Sequence, residues 1–256
     1  MNSNSYMQRV QAQYQGTSGF VAVVFIILVL VAIGYLIYWA VNSKNWSGFN
    51  SQMNPVIISE PMNAFNNHDF DKGIALPVSN QGLEFTYSYW IYIADWSYNF
   101  GKRKYIFVKG SLSGDQGDWS PAMWLDETLN TLRTSMAVFT PEGSTQKGGS
   151  GGAERYSTCD VRDIPLQKWV YISYVFNNRN VDIYVDGKLE KSCLLAQVPY
   201  LNRSDLYIMP QLKSSKDGIT GDTGFYGQIS NFQYFSRALL PTEVSTIYAN
   251  GPYAAL

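Results

Sequence analysis

Apolar and polar residues alternate over long stretches between residues 83 and 235, which is the pattern of strands with one buried face. The longest such row has an apolar residue at every second position: Leu83, Phe85, Tyr87, Tyr89, Ile91 and Ile93. Successive side chains of a strand point to opposite faces of a sheet, so the row predicts a strand that buries one face.

The middle of the chain predicts three consecutive strands. Trp169–Phe176 is apolar at nearly every position, which favours a central strand covered on both faces. Val181–Val185 alternates, and Lys188–Leu194 follows it after the two residues Asp186 and Gly187. An Asp-Gly link between β-rich runs predicts a type I′ turn, because that turn needs positive φ at both central residues.

Further short apolar runs are bounded by turn residues and predict an all-β fold, an antiparallel two-sheet jelly-roll sandwich, over residues 56–256. A helix is expected at Pro241–Asn250, with proline in its first turn and Gly251 as its stop. The other predicted strands are Val56–Ser59, Ile74–Val78, Tyr105–Lys109, Ala122–Leu125, Leu129–Phe139, Arg155–Val161, Asp205–Gln211 and Phe225–Phe235.

Residues 19–41 contain no charged side chain and are almost entirely apolar. As a helix they span about 33 Å, enough for a bilayer core of roughly 30 Å. Phe20 lies at one end, and Tyr35, Tyr38 and Trp39 cluster at the other, where aromatic rings favour the headgroup zone. We therefore expect a transmembrane helix. The alternative is a cleaved signal peptide, whose apolar region is shorter.

The segments beside this helix are polar. Residues 1–18 predict a loosely held tail, and residues 42–55, with Gly48 and Pro55, predict a linker. Arg9 and Lys44 balance each other across the apolar stretch, so flanking charge gives no orientation.

Charged residues make up 15% of the 256-residue chain, with 19 Lys and Arg against 20 Asp and Glu. This balance gives no strong positive field, so we do not expect a nucleic-acid partner. The basic triplet 102–104 is expected to be a solvated hairpin end, or a contact for anionic lipid.

Two runs carry a family resemblance: IPLQKWVYISYVFNNRNVDIYVDGKL at 164–189 and GFYGQISNFQYFSRALLPTEVSTIYANGP at 224–252. They resemble the concanavalin A-like, laminin G-like jelly-roll domains, most of all the versions in structural proteins of large DNA viruses. The resemblance implies the same sandwich, which in this superfamily serves sugar binding, glycoside hydrolysis, calcium-dependent adhesion and structural roles. The residues that carry it are Pro165, Trp169, Tyr184, Asp186, Gly187, Gly224, Gly227, Phe232, Ile247 and Tyr248.

Catalytic residues are not expected. Glycoside hydrolysis needs two facing carboxylates, which the glucanases of the superfamily carry in a Glu-x-Asp-x-Glu type of run, and this chain has no such run. Asp126 and Glu127 are adjacent, whereas Asp182 and Asp186 lie beside a turn. The one histidine, His68, lacks a Ser or Cys motif and reads as a loop residue.

Two acidic loops are the candidates for a cofactor, which would be calcium. Asp115 and Asp118 lie in SGDQGDW, and Asp217 and Asp222 lie in KDGITGDTG. Carboxylate oxygens suit calcium, but Asp and Gly are also the ordinary residues of tight turns, and neither loop has a regular ligand spacing. We therefore expect turns and no cofactor.

Three aromatic residues in predicted loops, Trp96, Tyr98 and Trp119, are candidate ligand contacts because exposed rings can stack on sugars or anchor a protein. Core packing is the expected role of each, and ligand contact is the alternative. Cys159 and Cys193 flank the three central strands and are expected to form a disulfide, the alternative being two buried thiols.

Asn45 and Asn202 fit the short N-glycosylation pattern. These two sites would be glycosylated only if the domain enters a secretory lumen.

Together these features indicate a single-pass, non-enzymatic structural protein. We expect a minor capsid component that ties the internal membrane of a large DNA virus to its capsid, with the bilayer and capsid proteins as partners. The alternative is a membrane-anchored lectin or adhesin at a cell surface, with glycans as partners. A glycoside hydrolase is the least favoured hypothesis.

Overall fold

The structure, a computed structural model, describes residues 21–35, 53–65, 72–79, 82–112, 118–139, 156–211, 221–222 and 224–253. The chain divides into two compact units, Met1–Asn50 and Ser51–Leu256. The described part of the first unit is a helix, α1, over residues 21–35. In the described part of the second unit, strands are the main regular elements.

In chain order the described strands are β1 (Val56–Ile58), β2 (Met62–Phe65), β3 (Glu84–Asp95), β4 (Arg103–Lys109), β5 (Ala122–Leu125), β6 (Thr131–Ala137), β7 (Tyr156–Ser157), β8 (Val161–Arg162), β9 (Trp169–Asn177), β10 (Asn180–Val185), β11 (Lys188–Leu194), β12 (Leu206–Ile208), β13 (Gly221–Asp222) and β14 (Gly224–Phe235). They are followed by the helix α2 (Pro241–Asn250).

The described strands form two sheets. The first has the order β1-β14-β3-β9-β10-β11, with β2 also paired to β14. The second has the order β12-β4-β5-β6-β7, with β13 on β4 and β8 on β6. The strand pairs are antiparallel except β13 with β4, which is parallel. The predicted all-β, two-sheet sandwich is therefore confirmed.

The core lies between the sheets and is rich in aromatic rings. The predicted row on β3 faces it, and Tyr87 and Tyr89 are fully buried there. The ring of Tyr87 stacks on Phe107 of β4 at 4.7 Å, and the ring of Tyr89 stacks on Phe232 of β14 at 5.2 Å. Such ring pairs add to the stability gained by burying apolar area.

The central strand β9 is covered on both faces, as predicted. Its residues Val170, Ile172 and Tyr174 belong to the core between the sheets. On its other face, Tyr171 and Val175 pack in a second cluster closed by the helix α2. The nearly continuous apolar sequence of β9 is thus explained by a helix on its outer face.

The predicted turn and helix are also confirmed. Asp186 and Gly187 have φ of +48° and +76°, as a type I′ turn requires. Helix α2 starts at Pro241, and the N–H of Gly251 ends it by donating to the Tyr248 carbonyl at 3.1 Å.

The strand predictions differ from the structure in three places. The single strand predicted at Arg155–Val161 is wrong, because the structure has two short strands there, β7 and β8, which pair separately with β6. The strand predicted at Ile74–Val78 is also wrong. Ile74 makes only an isolated antiparallel bridge to Leu206, after which residues 75–79 run as irregular chain, and Pro77 within them has no backbone N–H to extend a ladder. Conversely, Met62–Phe65 forms β2, which was not predicted because four residues carry too little alternation.

The membrane predictions fall partly outside the described residues, as do the tail 1–18 and most of the linker 42–55. Helix α1 exposes all of its described side chains, including Tyr35 at 67% exposure. Phe20, Tyr38 and Trp39 lie outside the described residues. Within the part of the chain that the structure describes, no helix has both the length and the apolar character needed to cross a membrane.

Candidate functional site

Three aromatic side chains from distant parts of the sequence meet where strands of the first sheet begin and end. The ring of Phe65 lies 5.0 Å from that of Tyr226 and 6.4 Å from that of Tyr98, and the rings of Tyr98 and Tyr226 lie 5.9 Å apart. Tyr226 is 43% exposed, and the other two are half-buried. We call these three residues the aromatic end cluster.

The pairing of β14 with two neighbours brings the cluster together. Gly224 lies opposite Phe65 of β2, and Tyr226 lies opposite Asp95 of β3. Gly224 has φ of +55°, and a Cβ added there would lie 1.6 Å from the carbonyl oxygen of Ala64. Only glycine allows this approach of β2 to β14, because any other side chain would collide with backbone.

An acidic group lies beside the exposed ring. Asp95 is the register partner of Tyr226, next to an irregularity of the ladder between Tyr226 and Gly227. Directly opposed residues of an antiparallel pair have Cβ atoms about 5 Å apart. The Asp95 carboxylate accepts hydrogen bonds from the backbone N–H and the hydroxyl of Ser97, each at 2.8 Å. These bonds lower the pKa of Asp95, so the carboxylate is ionised at neutral pH.

This arrangement combines two chemical features of a carbohydrate site. The apolar C–H face of a sugar ring can pack on an exposed aromatic ring, whose face carries partial negative charge. An ionised carboxylate only accepts hydrogen bonds, and sugar hydroxyls can donate them. Of the three candidate ligand contacts, Tyr98 belongs to this aromatic end cluster, so its position is compatible with a contact to a sugar.

Trp96 is placed differently. Its ring is half-buried against the core, and the Lys104 ammonium lies 5.0 Å from the ring centroid. The ammonium is attracted to the negative face of the indole ring, so that face of Trp96 already has a partner within the protein. Lys104 itself is fully buried and donates to the carbonyl of Asp126 at 3.3 Å, so the expected solvated end of the basic triplet is wrong for this residue.

Trp119 is fully buried, which agrees with the expected core packing and not with the alternative of a ligand contact. It lies just before β5 and packs against the rings of Tyr105 and Trp124 on the outer face of the second sheet, at 5.8 and 5.9 Å. Its indole N–H donates to the carbonyl of Ser111 at 2.9 Å. Trp119 thus belongs to a packed cluster and has no free face for a ligand.

The predicted disulfide is confirmed. Cys193 of β11 is bonded to Cys159, which precedes β8, so the bond joins the first sheet to the second.

Of the two candidate glycosylation sites, Asn45 lies outside the described residues. The amide nitrogen of Asn202, where a glycan would be attached, donates to the carbonyls of Lys109 and Asp118.

Comparison with known proteins identifies the fold family. A family model described as the concanavalin A-like lectin/glucanases superfamily matches residues 68–245. The chain belongs to this superfamily. A comparison with curated proteins found no match.

Solved structures are similar to this superfamily member at low sequence identity. The binding domain of botulinum neurotoxin serotype G is 16% identical, with a TM-score of 0.50 over 77% of this chain and 46% of that chain. A heptameric SAP-like pentraxin from Limulus polyphemus is also 16% identical, with a TM-score of 0.47 over 77% of this chain and 86% of that one. The binding domain of botulinum neurotoxin DC in complex with SialylT is 15% identical, with a TM-score of 0.46 over 66% of this chain and 36% of that chain. The chain therefore spans about a third to a half of these neurotoxin chains.

The carboxylates considered for glucanase chemistry in this superfamily make structural contacts. Asp126 accepts from Arg133 Nε at 2.7 Å, and Glu127 accepts from Arg103 Nε at 2.6 Å. Asp186 accepts from the Tyr171 backbone N–H at 3.0 Å and from Lys168 at 3.1 Å, and Asp182 accepts from the Asn180 amide at 2.7 Å. Each therefore holds a turn, strand or neighbouring side chain.

The calcium candidates lie mostly beyond the described residues. Asp115, Asp217 and the side chain of Asp222 are outside them, as is His68. Asp118 is half-buried, and its carbonyl accepts from Asn202. Across the described ranges, no group of three or more His, Cys, Asp or Glu side chains is placed to hold a metal ion.

Proposed function

We propose that this protein is a membrane-anchored, non-enzymatic binding protein whose sandwich holds glycans on the aromatic end cluster. The observation that carries the proposal is the exposed ring of Tyr226, set beside two further rings and an ionised Asp95. The superfamily is named for lectins and glucanases, two classes that recognise carbohydrate, which supports the same class of ligand. Exposed aromatic residues near few but well-placed polar groups are typical of binding sites.

The positions of Asp126 and Glu127 favour a protein that binds carbohydrate and does not cleave it. A glycosidase needs one carboxylate as acid and a second as base or nucleophile on opposite sides of the bond. Asp126 and Glu127 are instead each paired with an arginine, and hydrogen bonds that include one from Arg133 lower the pKa of Asp126, which makes it a poor proton donor.

The apolar segment 19–41 supplies the proposed membrane anchor. Its described part, α1, exposes large apolar side chains such as Phe25 and Leu28 at 67% and 61%. Apolar surface of this kind is unfavourable in water and favourable in lipid, so a bilayer is the partner that we propose for it. The disulfide supports a sandwich in an oxidising compartment, as at a cell surface.

A second candidate is a structural role in a large DNA virus particle, with the anchor in the internal membrane and the sandwich against capsid proteins. The apolar segment and the resemblance of residues 164–189 and 224–252 favour it. Proteomics of purified particles before and after detergent treatment tests this role. We expect release together with membrane proteins, and absence from the particles rejects it.

A glycan array tests the lectin role directly. The full chain is reconstituted in lipid nanodiscs and applied to an array that carries both neutral and sialylated glycans. We expect binding to neutral glycans, because the Asp95 carboxylate repels a second carboxylate near the rings. Silence across the array, with empty nanodiscs as the control, contradicts glycan recognition.

A further inference from the structure

A cavity of about 330 Å³ opens between the two sheets, away from the aromatic end cluster. It is lined from the first sheet by β3 and β14, from the second sheet by Lys109 and Ser120, and from two irregular segments, residues 75–79 and 201–204. Most of its wall is apolar, including Leu76, Pro77, Val78, Phe85 and Leu201. Val78 is 76% exposed, so a large apolar side chain at this site has no cover within the described chain.

One tyrosine in the lining of this cavity has a buried hydroxyl without a partner among the described residues. Tyr87 lines the cavity and is fully buried, and its hydroxyl has no hydrogen-bond partner among the described residues. The neighbouring hydroxyl of Tyr234, by contrast, donates to the Pro77 carbonyl at 3.0 Å. Buried polar groups in proteins are nearly always paired, so an orphan hydroxyl calls for an explanation.

The charged groups of the cavity do not demand a charged ligand. The Lys109 ammonium donates to the carbonyls of Asn202 and Ser204 at 2.9 and 3.0 Å and is therefore satisfied internally. The other charged side chains in the lining, Glu84 and Arg203, have opposite signs and both keep contact with solvent. The lining thus has an apolar wall, one unpaired hydroxyl and no unpaired buried charge.

We propose that this cavity binds a small uncharged molecule with an apolar body and one hydroxyl, whose hydroxyl pairs with that of Tyr87. The volume equals that of about ten water molecules and lies at the lower end of the range for small-molecule sites. The apolar body would cover the wall that includes Val78, and the ligand's hydroxyl would supply the missing partner of Tyr87.

Two aromatic probes of similar shape test the proposal: 2-naphthol, which has a hydroxyl, and naphthalene, which does not. Each is titrated against the full chain in lipid nanodiscs, and unfolding of the sandwich is followed by near-ultraviolet circular dichroism. A ligand that binds only the folded state raises the unfolding temperature. Ala75→Trp fills the cavity from its exposed rim, and Ala249→Trp, on the exposed surface of α2, is the matched control. The probes also partition into the lipid of the nanodiscs, but they do so equally for all variants, so this does not affect the comparison between them.

We expect 2-naphthol to raise the unfolding temperature of the wild type and of Ala249→Trp but not that of Ala75→Trp. We expect the wild type to bind 2-naphthol about fivefold more tightly than naphthalene, the effect of one neutral hydrogen bond. Tyr87→Phe should bring that ratio close to one while naphthalene binding is kept. Equal responses of the two tryptophan variants overturn the proposal, as do an unchanged ratio in Tyr87→Phe and a wild type that binds neither probe.

Discussion

Cys159 and Cys193 join the two sheets of the sandwich, with their Cα atoms 5.9 Å apart. Cys193 lies on β11, the last strand in the order of the first sheet, and Cys159 precedes β8, which pairs with β6 of the second. The bond closes a chain segment with a sequence separation of 34 residues. The disulfide therefore ties β11, an edge strand whose neighbour in the first sheet is β10, to the second sheet.

Removing this bond should destabilise the domain. The chain-entropy model gives roughly 4 kcal/mol for a loop of this length. We expect the double variant Cys159→Ser, Cys193→Ser to lose about that much in urea unfolding. A reductant should lower the stability of the wild type and leave the double variant unchanged. Equal stability of the two proteins without reductant would show that the bond adds nothing to the fold.

Gly224 permits the close approach of β2 to β14, and its replacement should be costly. A Cβ at Gly224 collides with the Ala64 carbonyl, and φ is +55°. We expect Gly224→Ala to lower the free energy of unfolding by about 3 kcal/mol. Gly101 is the matched control, because φ is +83° and nothing lies within 4 Å of its added Cβ. Gly101→Ala should cost about 1 kcal/mol from backbone strain alone. Equal losses would contradict the collision.

Asp126 should make stability depend on pH. Its side chain is 6% exposed. Burial opposes its ionisation, but hydrogen bonds from the Thr128 and Leu129 N–H groups and from Arg133 outweigh burial and lower its pKa. A lowered folded-state pKa contributes stability above the unfolded carboxyl value, and that contribution is lost as pH falls through the folded pKa.

We expect Asp126→Asn to cost about 2 kcal/mol at pH 7, the size of a hydrogen bond to a charged group. Urea unfolding at a series of pH values should show this difference shrinking as the pH is lowered. Glu190→Gln, on the exposed edge strand β11, is the control and should change little. A difference that stays constant down to strongly acidic pH would contradict the role of the ionised carboxylate.

Asp95 should set the charge preference of the glycan site. Its carboxylate lies opposite Tyr226 and its pKa is lowered by Ser97, so it remains ionised at neutral pH. Asp95→Asn should weaken binding of neutral glycans and reduce the discrimination against sialylated ones, because the negative charge is removed. Affinity for neutral glycans should also fall as the pH is lowered through the reduced pKa. Unchanged selectivity on the array would remove Asp95 from the site.

Much of the fold follows from local sequence. The row on β3, the Asp186–Gly187 turn and helix α2 each depend on neighbouring residues, whose periodicity and turn preferences are visible in one stretch. Short strands such as β2 could not be found this way, because a four-residue strand is fixed by its partner β14 and not by its own pattern.

The aromatic end cluster shows why a site is harder to predict than a strand. Tyr98 was a candidate, but Phe65 and Tyr226 were missed because strand register, set by the whole sheet, brings positions 65, 98 and 226 together. The sequence did carry a signal for Tyr226. The preceding residue, Phe225, is buried in the core, and because successive side chains of a strand point to opposite faces, Tyr226 points outward. Trp119 is the reverse case: it was weighed as a ligand contact because its neighbours in the sequence predict a loop, but its ring is buried, as core packing predicts.

The most direct test of the account is the affinity of Tyr226→Ala for the glycan that binds best on the array. Tyr200→Ala is the matched control, because Tyr200 is 39% exposed against 43% for Tyr226 and its ring packs against Phe139, outside the cluster. Titration of the full chain in nanodiscs should show a loss of at least about tenfold for Tyr226→Ala, as for stacking residues elsewhere, and none for Tyr200→Ala. Equal affinities of the two variants would contradict glycan recognition by the aromatic end cluster.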